Sequence, residues 1–224
     1  MAQMKYFYEL TISSSPHVHS PVTTRTVMRD VLIALTPALA GSVWFFGFRA
    51  LLMTLISAAA CVFFEWAYCK LMKTNCKVYD LSAAVTGVLL AFVCPVSIPY
   101  WMLIIGDFFA IVVVKQLFGG IGKNFVNPAL AGRAFLVGSY AGAMTTWVNP
   151  AANKAPLMGS TADIITAATP MAYLKTGDME ALMAEYQVSD LFIGFCGGSL
   201  GEVSALALLI GGVYLIWRKV INWQ

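Results

Sequence analysis

Apolar runs separated by short clusters of basic and turn-forming residues dominate this chain. Crossing the hydrocarbon of a bilayer takes about 20 mostly apolar residues. Runs of that kind cover residues 31–46, 51–71, 81–96, 101–118 and 126–144; after a polar stretch, a sixth covers 191–217. The pattern predicts an all-α, polytopic membrane helix bundle. Composition points the same way: 59% of the 224 residues are hydrophobic and 11% are charged, where soluble domains carry about 25% charge. The first thirty residues hold no continuous apolar core, and no cleavable signal peptide is expected.

Charge gives the spans a direction. With the N-terminus in the cytoplasm, Arg25, Arg29, Lys70, Lys73, Lys77, Lys123, Arg218 and Lys219 all fall inside. The loop after the fifth run carries Lys154 and Lys175 against Asp163, Asp178, Glu180, Glu185 and Asp190, which fits the positive-inside rule. The expected organisation is therefore a cytoplasmic segment (1–30), a first membrane half of about five spans (31–144), an external loop (145–189) and the start of a second membrane half (190–224). The net charge of +3 is scattered over short loops, which excludes nucleic acid as a sensible partner.

Two glycine-rich stretches interrupt the apolar runs. "GGIGKNFVNPALAGRAF" (119–135) places Asn124, Asn127 and Arg133 near lipid depth, and "GGSLGEVSA" (197–205) brings in Glu202. Each reads either as a tight turn with a small-residue packing face or as a broken helix. The predicted topology puts them at opposite membrane faces, as an inverted repeat with discontinuous helices would. Glu65 and Asp107 interrupt apolar runs as well. An intramembrane carboxylate is a functional candidate, though either could simply pair with a basic residue or serve at a subunit contact. Asp107 and Glu202 are the candidates for an ion pathway. Cys61, Cys69, Cys76, Cys94 and Cys196 form no CxxC pair and read as small buried hydrophobes; His17 and His19 read as solvated or docking residues. No metal site and no side-chain acid–base active site is expected in this chain.

The external loop contains "TADIITAATPMAYLKTG" (161–177), with four threonines and an aspartate in a short run. Pro170 suits the first position of a helix, Thr169 then becomes its N-cap, and Gly177 is a good stop. A threonine capping a surface helix accounts for the pattern. A phosphate group would also be well placed there, near free N–H groups.

Several longer motifs occur in order: "ELTISSSPHVHS", "DVLIALTPALAGSVWFFG", "GGIGKNFVNPALAGRAF" and "GGSLGEVSALALLIGGVYLIWRKVINW". Together they resemble the D subunit of the Rnf complex, an ion-translocating ferredoxin:NAD oxidoreductase. That subunit is related to the B subunit of the sodium-translocating NADH:quinone reductase. The resemblance implies FMN joined through its phosphate to a threonine, attached by a flavin transferase that reads a pattern like Asp-x-x-(Ser/Thr)-Gly-Ala-Thr. Asp163, Thr166, Ala168 and Thr169 match that pattern, with Thr169 as acceptor and Ala167 in place of the usual glycine. It further implies electron transfer in a bacterial cytoplasmic membrane, with the flavin on the outer face and the A, B, C, E and G subunits as partners. Riboflavin is a possible second cofactor, with no site assigned by these residues. The rival readings are a transporter or channel subunit and a redox-silent scaffold. The family resembled is longer, so the second membrane half is expected to be incomplete here.

Overall fold

The computed structural model describes residues 22–74, 78–148, 169–177, 179, 183 and 186–222. Helices account for the regular structure, and no β-strand element occurs among the described residues. Helix α1 (Thr24–Phe46) opens on a reciprocal cap. Thr26 N donates to Thr23 Oγ1 and Thr23 N donates to Thr26 Oγ1, so a threonine does the work usual for glutamate at the third position. Pro37 lies inside α1 and cannot donate to the carbonyl four residues back. The Thr36 hydroxyl donates to that Ile33 oxygen instead, at 2.7 Å, and the helix continues. Gly47, at φ 83°, then turns the chain directly into α2 (Phe48–Leu71). At 1.5 Å per residue these helices are each about 35 Å long, enough to cross a bilayer.

Of the remaining apolar runs, the one at 101–118 is a single helical stretch over 100–116 and the other three are shortened or broken. The run expected over 81–96 is helical over α3 (Ser82–Phe92), about 16 Å. Pro95 and Pro99 lie in the irregular segment that follows. Helix α4 (Tyr100–Phe108) widens into a π-helical continuation (Phe109–Gln116). The run at 126–144 becomes α5 (Pro128–Ser139), a break at Tyr140, and the single turn α6 (Ala141–Met144). Helix α7 (Pro170–Thr176) follows. The run at 191–217 divides into α8 (Val188–Ile193), an irregular stretch, and α9 (Ala205–Trp217).

Irregular backbone survives at membrane depth only where protein satisfies it, and here two broken segments satisfy each other. Leu200 N donates to Cys94 O at 3.1 Å and Gly201 N to Phe92 O at 2.8 Å. The Ser42 hydroxyl of α1 donates to Leu200 O. Arg49, fully buried at the start of α2, donates through Nε to Val96 O (2.8 Å) and through Nη2 to Ile98 O (3.0 Å), and lies over the Tyr100 ring. A Cβ at Gly201 would meet the Phe92 side chain at 2.6 Å, so the contact needs glycine. Helix α9 packs along α1, where a Cβ on Gly211 would run into Ala34 O, and Arg218 closes the pair by donating to Asp30 at 3.2 Å.

One end of the bundle is basic. Arg25 and Arg29 of α1, Lys70 and Lys73 near the end of α2, Lys123 beyond α4 and Arg218 after α9 share it. The interruption at 117–127 lies at this end; the one at 194–204 lies against the opposite end of α3.

Candidate functional site

At the flavinylation-like segment, Thr169 holds the N-cap position of α7 with extended backbone (φ −73°, ψ 151°), Pro170 is the first helical residue, and Gly177 ends the helix at φ 77°. These placements follow the sequence expectation. The hydroxyl does not: Thr169 makes no side-chain cap hydrogen bond. Its oxygen sits on a half-buried residue ahead of the exposed Met171 and Leu174, uncommitted to the helix it precedes. Asp163, Thr166 and Ala168 lie outside the described residues, as do His17, His19 and Cys76.

The two ion-pathway candidates have separate surroundings. Glu202 is exposed, accepts from the Ser199 hydroxyl at 2.6 Å and pairs with Arg133 of α5 at 3.4 Å. Asp107 is fully buried near the end of α4. Its Oδ1 accepts from Ser57 Oγ at 2.6 Å and from the Cys61 thiol at 3.2 Å, both on α2, while its Oδ2 has no partner.

A third polar cluster lies toward the basic end. Glu65 accepts from Lys115 Nζ at 3.0 Å and from Gln116 Nε2 at 2.7 Å, and Lys115 also donates to the Ser82 hydroxyl at 2.7 Å. Both charged side chains are nearly inaccessible, at 2% for Lys115 and 4% for Glu65. Pairing with a basic residue is one of the sequence readings for Glu65. Sequence reasoning misses the partner itself, because Lys115 reads as an ordinary flanking lysine at a span end. A signal does exist: each charge interrupts the last turns of a run that ends on the same side.

Two cavities of about 400 Å³ flank this cluster. One is bordered by Glu65, Tyr68, Asp80, Gln116 and the Gly119–Gly120 backbone. The other lies between α3, Lys115 and the approach to α5, where it meets Asn124, Asn127 and Pro128. Gly119, Gly120 and Gly122 all have positive φ (101°, 90° and 83°), which lets the loop fold tightly over the basic end. Asn127 then caps α5, its Oδ1 accepting from Ala129 N at 3.0 Å.

The cysteines Cys61, Cys69 and Cys94 are buried, as the apolar reading expects, but Cys61 also serves as a donor to Asp107. No grouping of His, Cys, Asp and Glu that could hold a metal occurs among the described residues.

Apolar helices of spanning length, helices broken in the bundle interior and buried ionisable groups define the class as an all-α membrane protein built around intramembrane polar sites. The profile of the NQR2, RnfD, RnfE family matches residues 11–224, and the chain belongs to that family. It is 46% identical over 217 residues to the D subunit of the Na(+)-translocating ferredoxin:NAD(+) oxidoreductase complex of Acetobacterium woodii, covering 96% of this chain and 64% of that protein. It is 39% identical over 219 residues to the proton-translocating counterpart of Clostridium ljungdahlii, with the same 96% and 64% coverage. The D subunit of the ion-translocating oxidoreductase complex of Halorhodospira halophila is 36% identical over 236 residues, with 94% and 65% covered. The chain thus spans less than two thirds of the length of these relatives.

Proposed function

We propose that this chain acts as the D-type membrane subunit of an ion-translocating ferredoxin:NAD oxidoreductase of the Rnf kind, and that it carries FMN through a phosphoester to Thr169. The observation that carries the flavin assignment is the Thr169 hydroxyl: it occupies an N-cap position without spending its oxygen on a cap bond. An oxygen so placed is free for esterification without loss of helix hydrogen bonding. With seven residues, α7 supplies little dipole attraction for a phosphate, so a covalent bond rather than helix electrostatics must hold the group. Bound FMN would supply a carrier that takes up electron pairs and passes electrons on singly. The chain's own part is to fix that carrier beside the membrane, with Asp163, Thr166 and Ala168 as the recognition residues for a flavin transferase.

On this reading the basic end faces the cytoplasm, the Thr169 loop faces outward, and the remaining A, B, C, E and G subunits supply the iron–sulfur centres and nucleotide chemistry that this chain lacks. Similarity does not choose the ion, since one relative is named for sodium and another for protons. The broken helices and buried carboxylates suit a transporter subunit equally well, and the flavin separates the two. In-gel flavin fluorescence of the denatured chain should show a band that Thr169→Ala abolishes. Even a full cap bond is worth only about 0.5–2 kcal/mol and Thr169 makes none, so the variant should still insert and accumulate. A fluorescent band that persists in Thr169→Ala would refute the attachment site, and its absence from the unaltered protein would refute the flavoprotein reading.

A further inference from the structure

Asp107 is surrounded by more acceptors than hydrogens. Ser57 Oγ lies 2.6 Å from Asp107 Oδ1 and 2.8 Å from Gly87 O, yet a hydroxyl has one hydrogen to give. If Ser57 donates to an ionised Asp107, Gly87 O faces a lone pair. If it donates to Gly87 O, two bare oxygens meet at 2.6 Å. One additional proton on Asp107 Oδ1 removes the conflict: the carboxyl donates to Ser57, and Ser57 donates to Gly87 O. The Cys61 thiol can still donate to the same carboxyl oxygen. The unpartnered Oδ2 then belongs to a neutral acid, where a missing partner costs far less than on a buried anion.

The charges nearby lead to the same assignment. On α2, Arg49 donates to the Val96 and Ile98 carbonyls at the far end of the helix, and Glu65 is held by Lys115 and Gln116. Lys115 is the basic residue of the π-helical continuation, and on α5 Arg133 pairs with Glu202. Helix α3 carries no ionisable side chain. Among the described residues, no cation therefore balances Asp107 directly.

The cluster depends on two local departures from ordinary helix packing. A Cβ on Gly87 would lie 2.6 Å from Ser57 O and 2.7 Å from Ala58 Cα, so glycine lets α3 approach α2 closely enough for its carbonyl to reach Ser57. Asp107 also stands two residues before the helix widens to π geometry, a distortion that recurs at functional sites. Along α2, Ser57, Cys61 and Glu65 recur every four residues on one buried face, and Glu65 borders the cavity at the basic end.

We infer that Asp107, with Ser57 and Gly87 O, forms an intramembrane seat for an exchangeable proton, reached from the basic-end cavity past Glu65 and Cys61. Protons enter and leave as such, with no change of oxidation state. As a proton seat it stands on the hydrogen-bond geometry; its place in ion translocation rests on the function proposed above.

Hydrogen–deuterium difference infrared spectroscopy tests it on the full-length protein in its membrane complex. The unaltered protein should show a carboxyl C=O band that shifts in D₂O. Asp107→Asn should delete that band, and Ser57→Ala should move its frequency because the carboxyl loses its acceptor. In Cys61→Ala the exchange of this band should slow by about tenfold, a barrier change of about 1.4 kcal/mol. Superimposable spectra for the unaltered protein, Asp107→Asn and Ser57→Ala would overturn the seat, and unaltered exchange in Cys61→Ala would overturn the route. Loss of the band on adding sodium at fixed pH would overturn the proton in favour of a metal ion. Flavin fluorescence is independent of all these readouts, so failure of the seat and failure of the flavoprotein reading remain distinguishable.

Discussion

Replacing Lys115 by methionine keeps most of the length of the side chain and removes its charge, which strands Glu65 as a buried carboxylate. Breaking a buried pair by deleting one partner costs about 3–5 kcal/mol, chiefly because the remaining charge is left uncompensated. The lower part of that range applies here for two structural reasons. Gln116 Nε2 continues to donate to Glu65 at 2.7 Å, and Glu65 borders a cavity through which water can reach it. For a chain of this size about 1 kcal/mol corresponds to roughly 2–4 °C, so about 3 kcal/mol lowers the midpoint by about 6–12 °C. The double variant Lys115→Met/Glu65→Gln removes both charges, and replacement of a whole buried pair is often nearly neutral. It should recover most of the loss, leaving a deficit from Ser82, whose hydroxyl no longer accepts from Lys115. Thermal unfolding of the detergent-purified protein, followed by residual monodisperse fraction after heating, reads both values. A Lys115→Met midpoint within about 1 °C of the unaltered protein would refute the reasoning. So would a double variant no more stable than the single one.

Arg49→Ala should destabilise by at least about 2 kcal/mol, because the buried Val96 and Ile98 carbonyls each lose a donor worth about 1–3 kcal/mol; the same thermal assay measures it, and an unchanged midpoint would count against the clamp. Gly87→Ala forces backbone against backbone where α3 meets α2 and should cost about 1–3 kcal/mol, with loss of the Asp107 infrared band as a second readout. For sidedness, Lys154→Cys should react with an impermeant maleimide in intact cells; labelling that appears only after lysis would place the Thr169 loop on the cytoplasmic side.

Local and compositional properties were legible in the sequence. Helices that need no partner to be long, α1 and α2, announce themselves by apolar runs, and the turn at Gly47 by a residue that tolerates positive φ. Thr169, Pro170 and Gly177 took the positions that capping chemistry assigns them, because an N-cap, a first-turn proline and a left-handed stop are set by neighbours within a few residues. Hydropathy failed where apolar residues serve something other than a straight span. The runs at 81–96, 126–144 and 191–217 are equally greasy whether helical or not, and the breaks in the first and last are stabilised by bonds from residues distant in the chain. Leu200 reaches Cys94, Gly201 reaches Phe92, and Arg49 reaches Val96 and Ile98. The same holds for the polar interior. Glu65, Lys115 and Asp107 could each be flagged as a charge in an apolar run, but which of them found a countercharge depended on the register at which α2, α3 and α4 pack. That register left Glu65 facing Lys115 and Asp107 facing the Ser57 hydroxyl and the Cys61 thiol, neither of which carries a charge. A one-dimensional pattern carries no record of it, since a helix turned by a single residue has the same composition and a different interior face.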